Sequence, residues 1–416
     1  MKTFFWVCLG LLIPGMLLRI PVGGAGILAT DIIVPFFCLL WLAKQIIVER
    51  HFSRPSFLLP GFIFLGIASI SFFGGAGSLF PVEQIISGSY LVRIAYFLLF
   101  GWAAHDLFRR TEEQEKFWKR FFWIASIVLL LGFIQFYFVP DISRWSTEGG
   151  LDPHTGRLLG TWLDPNFMAG FISFLFPLGL GYWYQLRKKK QKIGFSFFLI
   201  ACALALFFTF SRSGYLAGAF GVGLFLVLRD PKVLLILLLC VGIGIASNQR
   251  AQKRLTEFTG TISALLLHDT DEIDPTANLR LKSWQESLSL WEKYPILGIG
   301  YNTYRYRASE EGIVDENYFS SGGSDSTHIT ILVTSGIIGF LAFLWFYGTL
   351  FWKNAQRFFW EKNELFWGFS AGVAALFLHG IFVNSIFFPL LFLPVIAIAG
   401  VLEPSQSGKK QLLFWV

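Results

Sequence analysis

The sequence is short of charge. Only 15% of its 416 residues are Asp, Glu, Lys or Arg, while 54% are hydrophobic and 48 are Phe, where a soluble chain carries about a quarter charged. That balance excludes a water-soluble enzyme and leaves a polytopic membrane protein. Cysteine is scarcer still: Cys8, Cys38, Cys202 and Cys240 all fall inside apolar runs, with no paired spacing and no accompanying His. They read as small core hydrophobes, which excludes a disulfide framework or a thiolate metal site. No internal repeat is visible, which counts against a transporter built from paired, broken helices. The one acidic run, "HDTDEID" at 268–274, has Asp274 where a calcium loop needs its Gly, so no metal is expected there.

What is present is a succession of apolar segments long enough to cross a hydrocarbon core. They run near 3–20, 26–48, 56–74, 86–104, 118–139, 166–185, 193–210, 214–228, 233–247, 327–350, 365–383 and 384–402. The expected fold is therefore all-α, a single membrane-embedded domain over 1–416 with about twelve transmembrane helices, the eighth, ninth and last pair being the least distinct. Lys2 ahead of an apolar run, with "VGGAG" after it, also fits a signal peptide. Its loss would leave the other spans oriented as before.

Lys and Arg fall in alternate loops, which sets orientation. Lys44, Arg50 and Arg54, then Arg109 to Arg120, "RKKKQK", "RDPK", and Lys353 to Lys362 lie on one side with Lys2, Lys409 and Lys410. Both termini are thus expected in the cytoplasm. The net charge of +7 is this topological signal and not a nucleic-acid surface. The long polar segment 248–326 falls on the opposite side.

Arg212, in "TFSRSGYLAG", is the only charged residue between Ile193 and Leu228. Basic clusters flank that stretch, so "SRSG" is the tip of a hairpin of helices at the outer face. A snorkelling side chain is one reading; an anion site at the outer leaflet is the other, because ionisable groups at membrane depth are functional by default. Further on, Leu281, Trp284, Leu288 and Trp291 recur at helical spacing, which predicts an amphipathic helix lying on the membrane or the bundle. Arg280 is read as opening that helix, where a cation opposes the macrodipole unless an anion bridges the two. In "SSGGSDSTHITILVTSGIIGF", His328 stands at the mouth of the tenth span, and Asp325, three residues before it, is placed to fix the imidazole tautomer. His154 and His379 are lesser rivals; His51 and His105 face the cytoplasm, and His268 lies in the polar loop. Arg93, about two turns into the fourth span, reads either as an assisting cation or as half of a buried ion pair. Arg157, near "DPN", is a weaker candidate.

"GTWLDPNFMAG", "TFSRSGYLAG", "LRLKSWQESLSLWEKYPILGIGYNTY" and "THITILVTSGIIGFL" together resemble, in order and topology, the successive motifs of the O-antigen ligase and polymerase superfamily. The resemblance covers residues 157–345; the flanking helices share only its hydropathy. It implies a membrane glycosyltransferase of the C type in the bacterial inner membrane; no cofactor is expected, and no metal, since two arginines can neutralise a diphosphate. Its donor would be a glycan on undecaprenyl pyrophosphate, and its acceptor the lipid A-core or another glycan, met at the periplasmic face. The family's two arginines and loop-end histidine fall on Arg212, Arg280 and His328. An acidic residue near the eleventh helix has no counterpart; Asn384 stands in that region. In chemical terms the arginines would hold the diphosphate, with Arg93 and Arg157 assisting, and His328 would activate the acceptor hydroxyl. The same motifs serve polymerases and protein O-oligosaccharyltransferases, and a transporter is the rival from another class.

Overall fold

The computed structural model describes residues 1–22, 25–50, 52–143, 154–249, 252–253, 256, 275–313 and 323–404. The described residues are mostly helical. Backbone amides and carbonyls surrounded by lipid must bond within their own segment, and the Leu-, Phe- and Ala-rich runs do so as helices. Among the described residues, eight helices are long and apolar enough to span a membrane. With their end turns they are Thr30–Glu49, Leu58–Ser78, Pro81–Leu107, Thr111–Phe138, Pro165–Gln185, Lys189–Phe208, Thr327–Glu361 and Glu364–Phe382.

In chain order the elements are α1 (Lys2–Gly10), an antiparallel hairpin of β1 (Arg19–Val22) and β2 (Ala25–Leu28), α2 (Thr30–Lys44), α3 (Leu58–Gly75), α4 (Pro81–Leu107) and α5 (Thr111–Phe138). There follow α6 (Pro165–Gln185), α7 (Lys189–Phe208), α8 (Arg212–Arg229), α9 (Pro231–Ala246), α10 (Pro275–Lys293), α11 (Tyr304–Glu310), α12 (Thr327–Glu361), α13 (Glu364–Phe382) and α14 (Pro389–Leu402). Helix starts are set by local chemistry. Asp164, Ser211, Asp230, Ser326 and Asn363 each accept a first-turn amide on a side-chain oxygen, and Pro occupies the first helical position of α6, α9 and α14.

The expected first span, 3–20, is not one helix. α1 stops at Gly10, Pro14 and Gly15 turn the chain, and the hairpin begins at Arg19. The carbonyls this turn leaves unpaired are taken by the "GTW" motif: Trp162 Nε1 donates to Leu12 O at 2.9 Å and Thr161 Oγ1 to Ile13 O at 2.6 Å. The last expected span also shortens, because residues 383–388 form a turn before Pro389.

α6 and α13 are the most buried of the long helices and pack at close range through small residues. A Cβ on Gly372 would come within 2.6 Å of the Phe174 carbonyl. The basic turns gather at one end of the bundle, where Arg229 pairs with Glu364 at 3.1 Å, Gln45 donates to Asp106 at 2.6 Å, and the Ser56 amide donates to Glu403 at 2.8 Å.

α12 is broken near its start. Gly336 has φ 63° and ψ −173°, a conformation that essentially only glycine adopts. The loop "PILGIG" fills the gap: Ile299 N donates to Val333 O (3.0 Å) and Gly300 N to Thr334 O (3.2 Å), while Ile337 N donates to Pro295 O (2.9 Å). Ser71 Oγ adds a 2.6 Å bond to Thr334 O. A short half-helix, residues 327–335, is thereby fixed in place, and it carries His328.

Candidate active site

His328 occupies the first turn of α12, behind the Ser326 cap. Its ring stands edge-on to Phe377 (4.3 Å between centroids) and beside Phe343 (5.8 Å), and a Cβ on Gly380 would lie 3.1 Å from Cε1. Neither ring nitrogen has a side-chain partner among the described residues; the polar group beside the ring is the Gly380 backbone. The expected bond from Asp325 is therefore absent. The helix starts only at Thr327, so Asp325 is not one helical turn away but lies in the preceding loop. There burial raises its carboxyl pKa, and the charge of Arg280 opposes that rise. Asn384 lies against Gly323 in the same loop, where a Cβ would collide with its amide nitrogen.

Arg280 does not open its helix. α10 begins at Pro275, so Arg280 sits in the second turn and the dipole argument does not apply to it. That argument belongs to Arg212, the first residue of α8, directly after the capping Ser211. A guanidinium and a helix N-terminus together favour an anion. Trp284, one turn beyond Arg280, meets Phe382 at 6.2 Å between ring centroids, and Ser287 hydrogen-bonds Tyr304 at 2.7 Å. Trp284 and Trp291 of the predicted stripe thus face the bundle, but the buried positions between them are Ser287 and Leu290, and Leu288 is exposed.

Arg157 is drawn into the backbone. Its Nε donates to Thr209 O (2.8 Å), and its Nη2 to Asn166 Oδ1 and Phe210 O (both 3.4 Å). It latches the turn ahead of Arg212, in which Phe210 holds a left-handed φ of 48°. Ser211 Oγ donates to the same Asn166 oxygen at 2.8 Å and lies 3.1 Å from Ser213 Oγ. Burial lowers the pKa of His154, with Asp164 pushing it up and Arg157 down. Arg93 is committed elsewhere. Its Nε and Nη2 form a bidentate pair with Asp31 at 2.9 and 2.7 Å, to which Tyr96 adds a 2.8 Å bond. The pair is 12% and 14% exposed, so it ties α4 to α2 as an internal ion pair.

The structure thus joins "DPN", "SRSG" and the His328 half-helix at one end of the bundle. Asn166, Ser211 and Ser385 were not singled out from the sequence. Short polar residues in an apolar stretch, two of them inside the quoted motifs, were the signal that could have found them. Asp31 was missed as well; an acid inside the second span called for a cation such as Arg93.

Residues 195–344 match the family model described as O-antigen ligase. That match supports the O-antigen ligase superfamily for this chain. The matched stretch takes in Arg212, Arg280, Asp325 and His328, and leaves Arg93, Arg157 and His379 outside. Members of the family are glycosyltransferase-like enzymes. No curated protein matches the chain.

Proposed function

We propose that this chain is an O-antigen ligase-like glycosyltransferase of the bacterial inner membrane. It moves a glycan from undecaprenyl pyrophosphate to an acceptor sugar, the lipid A-core or another glycan, on the periplasmic side. The observation that carries this reading is the placement of His328: an imidazole to which no side chain among the described residues bonds, with the Gly380 backbone beside it, held on a short, pinned half-helix at the end of the bundle that also bears Arg212 and Arg280. The orientation rests on the basic turns at the other end.

The acceptor hydroxyl attacks the anomeric carbon while the bond from that carbon to the diphosphate oxygen breaks. His328 takes the hydroxyl proton on a ring nitrogen, the role of a general base. The electron pair leaves with the lipid diphosphate. Arg212 and Arg280 neutralise its growing charge through planar, bidentate donors that remain protonated, so the reading needs no divalent ion. Asp325, beside Arg280, acts on the cation and not on the imidazole. Arg157 shapes the Arg212 turn.

The test is made in cells lacking the protein. Unmodified lipid A-core with lipid-linked polymer accumulating is the expected result. Single-repeat chains attached to the core would instead identify a polymerase, and unchanged lipopolysaccharide would overturn the reading.

A further inference from the structure

His379 is completely buried in α13, and the reaction as described does not use it. It nevertheless touches both halves of the site. On one side the ring packs on the first turns of α6, where a Cβ on Gly170 would lie 3.1 Å from its Nδ1 and Cε1, beside the backbone of Asn166. That Asn166 is the residue whose side chain holds Ser211 and Arg157, and with them the turn before Arg212. On the other side, Nδ1 of His379 lies 3.0 Å from Ser385 Oγ.

Ser385 belongs to the tight turn between α13 and α14, which clasps the start of the His328 half-helix. The amides of Ser385 and Ile386 donate to Thr327 Oγ1 at 2.9 and 3.3 Å, and Thr327 Oγ1 donates to Val383 O at 3.1 Å. Thr327 immediately precedes His328. A continuous chain of contacts therefore runs from Arg212 through Ser211, Asn166, the first turns of α6, His379, Ser385 and Thr327 to His328. The far end of the half-helix is pinned separately by the "PILGIG" loop. Its near end has this turn.

Packing alone does not account for His379. A Phe or Leu would fill apolar space between α6 and α13, whereas a buried imidazole carries the cost of desolvating two polar nitrogens. What the imidazole adds is the directed bond to Ser385.

We propose that His379 is a positioning residue: through Ser385 and Thr327 it fixes the half-helix bearing His328 against the α6–α8 side that bears Arg212. The inference rests on the transferase reading above. Displacing a reacting group by about 1 Å can cost on the order of a hundredfold in rate while binding is spared, so this role appears in turnover and not in donor affinity.

The test uses full-length protein in detergent, with undecaprenyl diphosphate as the binding probe and lipid-linked glycan extracted from cells lacking the protein as substrate. The variants are His379→Leu, Ser385→Ala and their double, with His379→Asn as the conservative change, since an Asn amide can replace Nδ1 opposite Ser385. His379→Leu and Ser385→Ala are expected to lower kcat by roughly tenfold to a hundredfold, with undecaprenyl diphosphate affinity within about twofold. The double variant should be no worse than the poorer single, because both remove one shared bond. His379→Asn should recover most of the rate. Multiplying losses in the double, a loss confined to undecaprenyl diphosphate affinity, or His379→Asn as slow as His379→Leu would each overturn the inference. Ser385→Ala removes a single oxygen, so it keeps the test decisive if the histidine variants fail to fold. Absence of transfer by the wild-type chain would refute the transferase reading itself, which separates the two failures.

Discussion

Gly336→Ala is a one-carbon change whose cost follows from the break in α12. Gly336 combines φ 63° with ψ −173°, and holding a non-glycine residue there costs about 1–3 kcal/mol. The new Cβ would also collide with the carbonyl of Ile296, which is backbone and cannot turn aside. Relief requires the "PILGIG" loop to withdraw, breaking the bonds from Ile299 and Gly300 to α12 and from Ile337 back to Pro295. Each buried backbone group left without a partner adds about 1–3 kcal/mol. The expected loss is therefore at least about 2 kcal/mol, taking the conformational cost with one or two orphaned groups. Reversible unfolding in mixed micelles should register it as a lower midpoint, accompanied by a severe loss of transfer. Gly348→Ala in the same helix is the control. A Cβ there meets nothing within 4 Å, so it should be neutral or stabilise the helix by up to about 1 kcal/mol. An unchanged midpoint with full activity in Gly336→Ala would refute the broken-helix account.

Replacing Arg212 or Arg280 with Lys keeps the charge and discards the planar fork, so either change should slow transfer nearly as much as Ala does; a steady-state rate equal to wild type with Lys at both positions would remove them from the diphosphate site. Asp31→Asn leaves the Arg93 guanidinium buried without its carboxylate and should cost about 3 kcal/mol or more, whereas Asp31→Leu combined with Arg93→Leu should recover much of it in the same unfolding assay. Burial raises the Glu403 pKa above its ordinary value, with Ser56 and nearby cations opposing. Between the ordinary and the raised value the folded chain binds more protons than the unfolded one, so this group makes stability fall as pH rises; Glu403→Gln should flatten that slope, and an unchanged profile would contradict it.

Much of the architecture was legible because lipid leaves the backbone few choices. The apolar runs became helices, the basic turns collected at one end, and the chain reverses at residues 209–211, with "SRSG" capping and opening the second helix. What hydropathy could not convey was continuity. The run 3–20 is apolar throughout, yet Pro14 and Gly15 end its helix, and the freed carbonyls find partners in a motif more than a hundred residues away. "VTSGIIG" likewise reads as unbroken helix until the loop it pairs with is in place.

At the site, residue types were more legible than geometry. Charge and position point to Arg212, Arg280 and His328 as candidates, but α10 starts five residues before Arg280, and Asp325 feels the charge of Arg280 and does not bond His328. Both errors concern helix ends, where a single cap decides whether a neighbouring residue lies inside the helix. Arg93 and Arg157 were visible as cations. Their partners, Asp31 and the Thr209–Phe210 carbonyls, come from segments that only the fold brings near.

The assignment of His328 as general base is tested most directly with purified His328→Gln, measuring undecaprenyl diphosphate binding and glycan transfer separately. Gln keeps much of the size and polarity of the imidazole but cannot take up a proton near neutral pH. Binding should match wild type while turnover falls roughly a hundredfold or more, the scale of a positioned acid–base group. Turnover close to wild type in His328→Gln would contradict the account.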